Sequence, residues 1–363
     1  MQFSFGSLVA YSGVLIVSFY FASLYEKNKK KLYLILTYCT LVFFSGLRFF
    51  VGNDYIGYVE QFYLIKTYEE NVIFIEPGYY VLNFLFRFSS IGYVYVFFIA
   101  TAISYFFILK QLCYENVLKW GVFSLVTLGC LIWMNDIVRQ GIAFSIFIYA
   151  LRYMEKGAFF KYVICIGFAF LFHYSAVVLL ILYLLRNLRF NTVVWILLIF
   201  LTFVLQYIGL FRKVLQYSVA IIPYYGNYIN KMDLYFCQGN VIGIGLLYKQ
   251  FLALCIAVFY RNIDNKFYAT LFLLGCVLDN VFAGTFIFER ISNYLVYINI
   301  VVFPYLFQSV RSPNIKLWIV LIILIYFTIE SFTGLEKHGA VPYRTIINED
   351  LKNPPVEYYE ENI

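Results

Sequence analysis

The chain has 363 residues, of which 63% are hydrophobic and 13% charged, with a mean hydropathy of +0.79 and a formal net charge of +7. A soluble domain carries about 25% charged residues, so this composition excludes one and points to an all-α, polytopic integral membrane protein. The positive charge lies in short loops between apolar runs, which is the pattern of topology signals and excludes nucleic acid as a partner.

Apolar runs of about 17–24 residues recur along the chain, each long enough to cross a hydrocarbon core of about 30 Å as a helix. They are continuous, without apolar–polar alternation, which excludes a transmembrane β-barrel. The first opens near Phe5 with no Lys or Arg ahead and no small-residue cleavage site behind, so it reads as a retained span. About ten full spans are predicted, over 5–25, 32–47, 91–109, 120–134, 138–154, 192–211, 241–260, 267–287, 291–309 and 316–333. Two apolar stretches fit badly. Residues 78–88 are too few to cross, and 162–185, about 36 Å as a straight helix, is long for one pass and too short for two.

Loop charges orient these spans. Lys27, Lys29, Lys30 and Lys31 against Glu26 leave +3, which marks a cytoplasmic loop and an outside N-terminus. The segment from Arg48 to Pro77 carries −3, as expected outside. Both flanks of 162–185 carry +2, from Arg152, Lys156 and Lys161 against Glu155 and from Arg186 with Arg189. With both ends on one side, the stretch reads as a re-entrant hairpin with His173 at its tip, reaching about halfway into the membrane. The competing reading is one long tilted helix, under which every later loop changes side. The hairpin places Arg212–Asn240 and the tail after Phe332 outside, and leaves one polytopic membrane domain over 1–333 with a polar tail over 334–363. The chain contains no internal repeat and no low-complexity tract.

Seven scattered cysteines without a C-x-x-C pair read as packing residues, and with only two distant histidines no metal or cofactor site is expected. The other polar residues gather into groups. RFFVGNDYIGY runs from Arg48 to Tyr58, followed by Glu76-Pro77-Gly78. NDIVRQGIA carries Arg139 and Gln140, FLFHYSAVV carries His173 and Ser175, FERISNY carries Glu289 and Arg290, and VPYRT carries Arg344. Each has a plain structural reading. Arg48 and Arg290 suit interfacial anchors, Asp54 a turn cap, and Glu76-Pro77-Gly78 a helix start. Arg139 could pair with Asp136 one turn earlier, and His173 could simply pack, with Ser175 bonding locally. Five such coincidences on one face favour a site, because a charge at a span centre costs about 2.5–3.5 kcal/mol.

Guanidinium forks match phosphate oxygens bidentately and stay charged, so several arginines around a membrane cavity suit a lipid pyrophosphate. Neighbouring carboxylates and an imidazole suit acid–base work. The ordered set R-x-x-V-G-N-D-Y-x-x-Y, E-P-G, R-Q-x-x-A, F-H-x-S-A, R-x-x-x-Y and P-Y-R, spread from Arg48 to Arg344, resembles the EpsG/Wzy family of bacterial polysaccharide polymerases. The resemblance implies a GT-C-like helical fold. It also implies inverting, metal-independent block transfer on the outer face of the bacterial cytoplasmic membrane. Undecaprenyl-pyrophosphate-linked oligosaccharide would be donor and acceptor, with membrane lipid, a chain-length regulator and other polysaccharide-assembly proteins as partners.

The family's polar positions fall here on Arg48, Asp54, Tyr55, Glu76, Arg139, Gln140, His173, Ser175, Arg290 and Arg344. Arg139, Arg290 and one of Arg48 or Arg344 are expected on the pyrophosphate. Asp54 is the first candidate for the base, Glu76 or His173 the second, and His173 could instead bind phosphate. The rival functions are a flippase of lipid-linked sugars and an O-antigen-type ligase using the same donor.

Overall fold

The computed structural model describes residues 3–67, 75–211, 213–214, 243–283, 285–334, 339–347, 349 and 351. Among them the regular structure is helical, and an isolated antiparallel bridge pairs Arg48 with Thr345. The chain divides into two compact units: unit 1 is Met1–Tyr183 with Leu321–Ile363, and unit 2 is Leu184–Val320.

Unit 1 opens with α1 (Phe5–Asn28), capped by Ser4, whose side chain accepts from the Ser7 N–H, and ended by Lys29 in the left-handed region at φ 54°. After it come α2 (Lys31–Gly46), α3 (Tyr55–Thr67), α4 (Pro77–Phe86), α5 (Gly92–Tyr114), α6 (Leu118–Thr127), α7 (Cys130–Asp136), α8 (Val138–Glu155), α9 (Phe159–Phe170) and the short α10 (Leu179–Leu182). The run expected as one span over 120–134 is instead the pair α6 and α7, bent by 59°. Gly129 stands at the break with φ 81°, a conformation closed to most side chains.

The stretch 162–185 doubles back. α9 ends at Phe170, the chain turns through His173, and a 3₁₀ turn at Tyr174–Val178 leads into α10. The Tyr162 hydroxyl donates to the Leu179 carbonyl at 2.6 Å, and the rings of Tyr162 and Tyr183 lie 5.6 Å apart. A straight helix would separate those rings by about 30 Å. The outgoing arm, α9, has 12 residues and is about 18 Å long. Where the chain turns, Gly78 of α4 docks on it. The Gly78 N–H donates to the Leu171 carbonyl at 2.7 Å, and a Cβ at that glycine would stand 2.8 Å from the same oxygen.

The two ends of unit 1 are built differently. At one end Glu26 caps α6 by accepting from the Lys119 N–H at 2.8 Å, and Arg152 ties α8 to α5 through Gln111 at 2.8 Å and the Lys110 carbonyl at 2.9 Å. At the other end the chain after α2 is overlaid by residues 339–347. The Phe49 N–H donates to Arg344 O at 3.0 Å, the Ile346 N–H to Leu47 O at 2.9 Å and the Gly52 N–H to Gly339 O at 3.0 Å. Tyr343 stacks on Phe44 with centroids 4.4 Å apart and planes 4° from parallel.

Unit 2 contains α11 (Thr192–Tyr207), α12 (Ile244–Phe259), α13 (Lys266–Phe282), α14 (Phe286–Val296) and α15 (Asn299–Ser309). The last helix, α16 (Pro313–Thr333), runs from unit 2 into unit 1. The expected outside loop 212–240 lies almost wholly outside the described residues.

Among the described residues five stretches are long and apolar enough to cross a membrane, namely α1, α5, α12 with its 3₁₀ extension, the α14–α15 run from Phe288 to Ser309, and α16; the bent α6–α7 pair makes a sixth. The other expected spans are the helices α2, α8, α11 and α13, of 16 to 18 residues. At about 1.5 Å per residue they cover about 24–27 Å, and α8 carries Arg139, Arg152 and Glu155 besides.

Replacing Gly78 with alanine is expected to push α4 off the hairpin and cost about 1–3 kcal/mol. The check is the thermal midpoint of the purified protein in detergent, and an unchanged midpoint would contradict the close contact at Leu171.

Candidate functional site

Each residue of Glu76-Pro77-Gly78 has a separate task. Pro77 occupies the first turn of α4, where a backbone N–H has no helical partner to lose. Gly78 lets the hairpin turn come close. Glu76 stands at the N-cap position but makes no capping hydrogen bond with its side chain. Its carboxylate faces α8 and His173 instead.

Glu76 Oε2 accepts from Arg139 Nη1 at 2.6 Å, and Glu76 Oε1 lies 2.9 Å from His173 Nδ1. One buried carboxylate thus joins α4, the first turn of α8 and the hairpin tip. Burial alone would raise the Glu76 carboxyl, but the hydrogen bond from His173 and the charge of Arg139 outweigh it and hold the group below the usual carboxylate range. An ionised carboxylate only accepts, so the proton of the Glu76–His173 contact sits on Nδ1. In the neutral ring the lone pair is then on Nε2. That nitrogen is buried and has no hydrogen-bond partner among the described residues, and the same holds for Arg139 Nε. The Arg139 side chain keeps 21% of its surface exposed against 5% for Glu76, so the guanidinium is the more accessible partner. Tyr58 and Tyr79 flank it, their ring centroids 5.7 and 5.9 Å from its central carbon.

Around this centre lies a layer built from the chain after α2, the α7–α8 corner and the tail. Arg48, expected on a pyrophosphate, is buried and otherwise engaged. It donates to the carbonyls of Ser45 at 2.5 Å, Asn135 at 2.9 Å and Val51 at 3.2 Å, and its guanidinium lies 4.8 Å from the centroid of Phe97. Its fork organises the turn of backbone that precedes α3. Asp54 is exposed, and its N–H donates to Asp136 Oδ1 at 3.1 Å. Its carbonyl accepts from the Tyr58 N–H at 3.1 Å, which starts α3. Tyr55 is buried, its ring stacked on Phe97 at 4.5 Å.

The remaining expected residues are dispersed. Gln140 is fully buried beside Arg139 on α8, and Ser175 is half-buried in the 3₁₀ turn after His173. Arg344 uses its backbone carbonyl to hold the chain at Phe49 while its side chain is exposed. Arg290 is exposed on α14, in unit 2. The alternative pairing of Arg139 with Asp136 gives way to Glu76, while Asp136 takes the Asp54 N–H.

Sequence reasoning missed several participants. Tyr58 closes a quoted motif and Tyr79 follows Glu76-Pro77-Gly78, but among 36 tyrosines neither stands out. It also passed over Lys249, Asp279 and Ser292 in unit 2, whose only signal was two charges inside apolar runs. No group of three His, Cys, Asp or Glu able to hold a metal occurs among the described residues.

The model of the EpsG family matches residues 31–345, a range that includes every site residue named above. No curated protein and no solved structure matches the chain.

Replacing Glu76 with glutamine leaves Arg139 or His173 facing an amide and is expected to cost about 3–5 kcal/mol of stability, as for a buried pair broken on one side. The wild-type contribution carries a pH signature. Because the folded carboxyl is lowered, it is fully present above the unfolded carboxylate value of about 4.3 and is lost as the pH falls through the lower folded value. A melting series against pH should show that acid loss in the wild type and its absence in the Glu76→Gln protein.

Proposed function

The chain belongs to the EpsG family, and from that membership together with the Glu76 centre we propose that it is a membrane polysaccharide polymerase. It joins undecaprenyl-pyrophosphate-linked oligosaccharide repeat units by inverting, metal-independent transfer in a GT-C-like bundle of about ten spans. The observation that carries the reading is the pairing of a cation suited to phosphate with an imidazole whose outer nitrogen is buried and has no hydrogen-bond partner among the described residues, on opposite oxygens of one carboxylate.

His173 is the base, oriented by Glu76 in the manner of a carboxylate–imidazole pair. An acceptor sugar hydroxyl attacks the anomeric carbon of the donor as its proton passes to His173 Nε2. The bond from that carbon to the pyrophosphate oxygen breaks, the electron pair leaves with undecaprenyl pyrophosphate, and Arg139 stabilises the growing charge. A single displacement inverts the anomeric centre and needs one base. His173 therefore takes the role first expected of Asp54, whose backbone starts α3. Arg48 acts by shaping the layer over the site, not by binding phosphate.

The orientation rests on charge. The end of unit 1 that carries Lys110, Lys119 and Arg152 is cytoplasmic by the excess of basic residues. The hairpin enters from that side, and the end carrying Glu76, Arg139 and His173 faces outward from the bacterial cytoplasmic membrane. A chain-length regulator and other assembly proteins act beside it.

In cells lacking the native protein, His173→Ala and Arg139→Ala chains present at normal membrane levels are expected to lower polymer formation by about 10²–10⁴-fold, whereas Asp54→Asn retains long polymer. Long polymer from both alanine variants would refute the assignment. Purified protein in liposomes containing lipid-linked oligosaccharide separates the rivals: polymer without a second protein supports the enzyme, and translocation without polymer a flippase. Transfer to a different acceptor alone would mark a ligase.

A further inference from the structure

Unit 2 buries a second polar centre that the chemistry above does not use. Lys249 of α12 lies with its Nζ 3.4 Å from Asp279 Oδ2 of α13, and Ser292 of α14 donates to Asp279 Oδ1 at 3.0 Å. Directly behind stands an amide network on the neighbouring residues. Gln250 donates to Asn280 Oδ1 at 2.7 Å, and Asn280 donates to Thr202 of α11 at 3.0 Å. Lys249 is in the second turn of α12, Asp279 in the last turn of α13 and Ser292 in the second turn of α14, so all three sit at one end of antiparallel helices. Arg290 adds an exposed cation on α14 two residues before Ser292.

An ion pair in this setting is expensive for a fold to keep, because apolar residues of similar volume usually serve stability as well or better. Ionisable groups inside membrane helices mark sites by default. The geometry is graded: the Lys249 side chain is 28% exposed and Asp279 9%, and Asn280 behind them is fully buried. The contact of 3.4 Å is longer than the usual 2.7–2.9 Å of a charge-assisted bond. A partly exposed ammonium over a polar floor suits contact with a phosphate.

We propose that the Lys249–Asp279–Ser292 centre binds the pyrophosphate of a lipid-linked substrate, as a second site distinct from that at Arg139. This rests on the polymerase reading, in which two lipid pyrophosphates must be held, one for the donor and one for the acceptor. Unit 1 holds the Arg139–Glu76 pair and unit 2 the Lys249–Asp279 pair, each between different helices. Asp279 keeps the ammonium charged in the empty site and Ser292 holds the carboxylate still. The substrate phosphate then meets the exposed side of the Lys249 ammonium, which keeps Asp279 as its partner.

The test uses the full chain in nanodiscs, with undecaprenyl pyrophosphate as the probe and native mass spectrometry counting bound molecules. Two are expected for the wild type and one for the Lys249→Met, Asp279→Asn double variant, whose second site weakens about tenfold or more with loss of a charged contact. Arg139→Met should also retain one. A double variant that still binds two overturns the proposal, as does a wild type that binds one, lost only on Arg139→Met. A wild type that binds none refutes the polymerase reading itself. Should the double variant fail to fold, amine acylation of Lys249 in the wild type gives the same answer. Undecaprenyl pyrophosphate is expected to slow it about tenfold and undecaprenol not at all; equal rates with both lipids overturn the proposal.

Discussion

A carboxylate that is almost completely buried must be given partners, and in unit 1 that requirement governs the arrangement around Glu76. An uncompensated buried charge would cost several kcal/mol, so Arg139 and His173 must both reach one side chain from different helices. For that to happen α8 must begin where α4 begins, and the 162–185 stretch must turn back with its imidazole at the turn. Pro77 starts α4 in place, and Gly78 removes the one side-chain atom that would hold the turn away.

Broken helix inside a membrane carries a second obligation, since freed N–H and C=O groups find no water there. The hairpin meets it locally. The His173 N–H donates to Ala169 O at 3.0 Å and the Leu171 carbonyl accepts from Gly78, while Tyr162 reaches across the hairpin to Leu179 O. The same logic explains Arg48. A guanidinium has five donors, and here it serves the carbonyls of a turn that no regular ladder satisfies, leaving the tail to pair with the next residues along. The layer over the site is thereby tied to the corner from which α8 departs. Arg139 thus projects from a fixed helix start and not from a loose loop.

The two buried polar centres differ in kind. In unit 1 a carboxylate sits beneath two nitrogen-bearing groups, and the imidazole keeps one nitrogen without a partner among the described residues. That arrangement suits proton transfer beside a positive charge. In unit 2 the carboxylate holds a lysine and a serine over an amide floor. An ammonium on a flexible stem suits holding and releasing an anion.

The sequence by itself determined the helical class and the succession of apolar helices, because apolar character leaves its mark on every residue of a run. Basic flanks on both sides of 162–185 left a hairpin and a tilted helix equally open; the ring contacts of Tyr162 and Tyr183 decide for the hairpin. Gly129 was visible, but one glycine in an apolar run does not announce a bend of 59°. Only the tertiary structure decided which polar residues meet. Glu76 gathers partners 63 and 97 residues away, Arg48 turns inward to carbonyls, and Lys249 finds Asp279 across 30 residues. Hydropathy and charge are properties of neighbours along the chain, whereas these pairings depend on where whole helices start, bend and turn back.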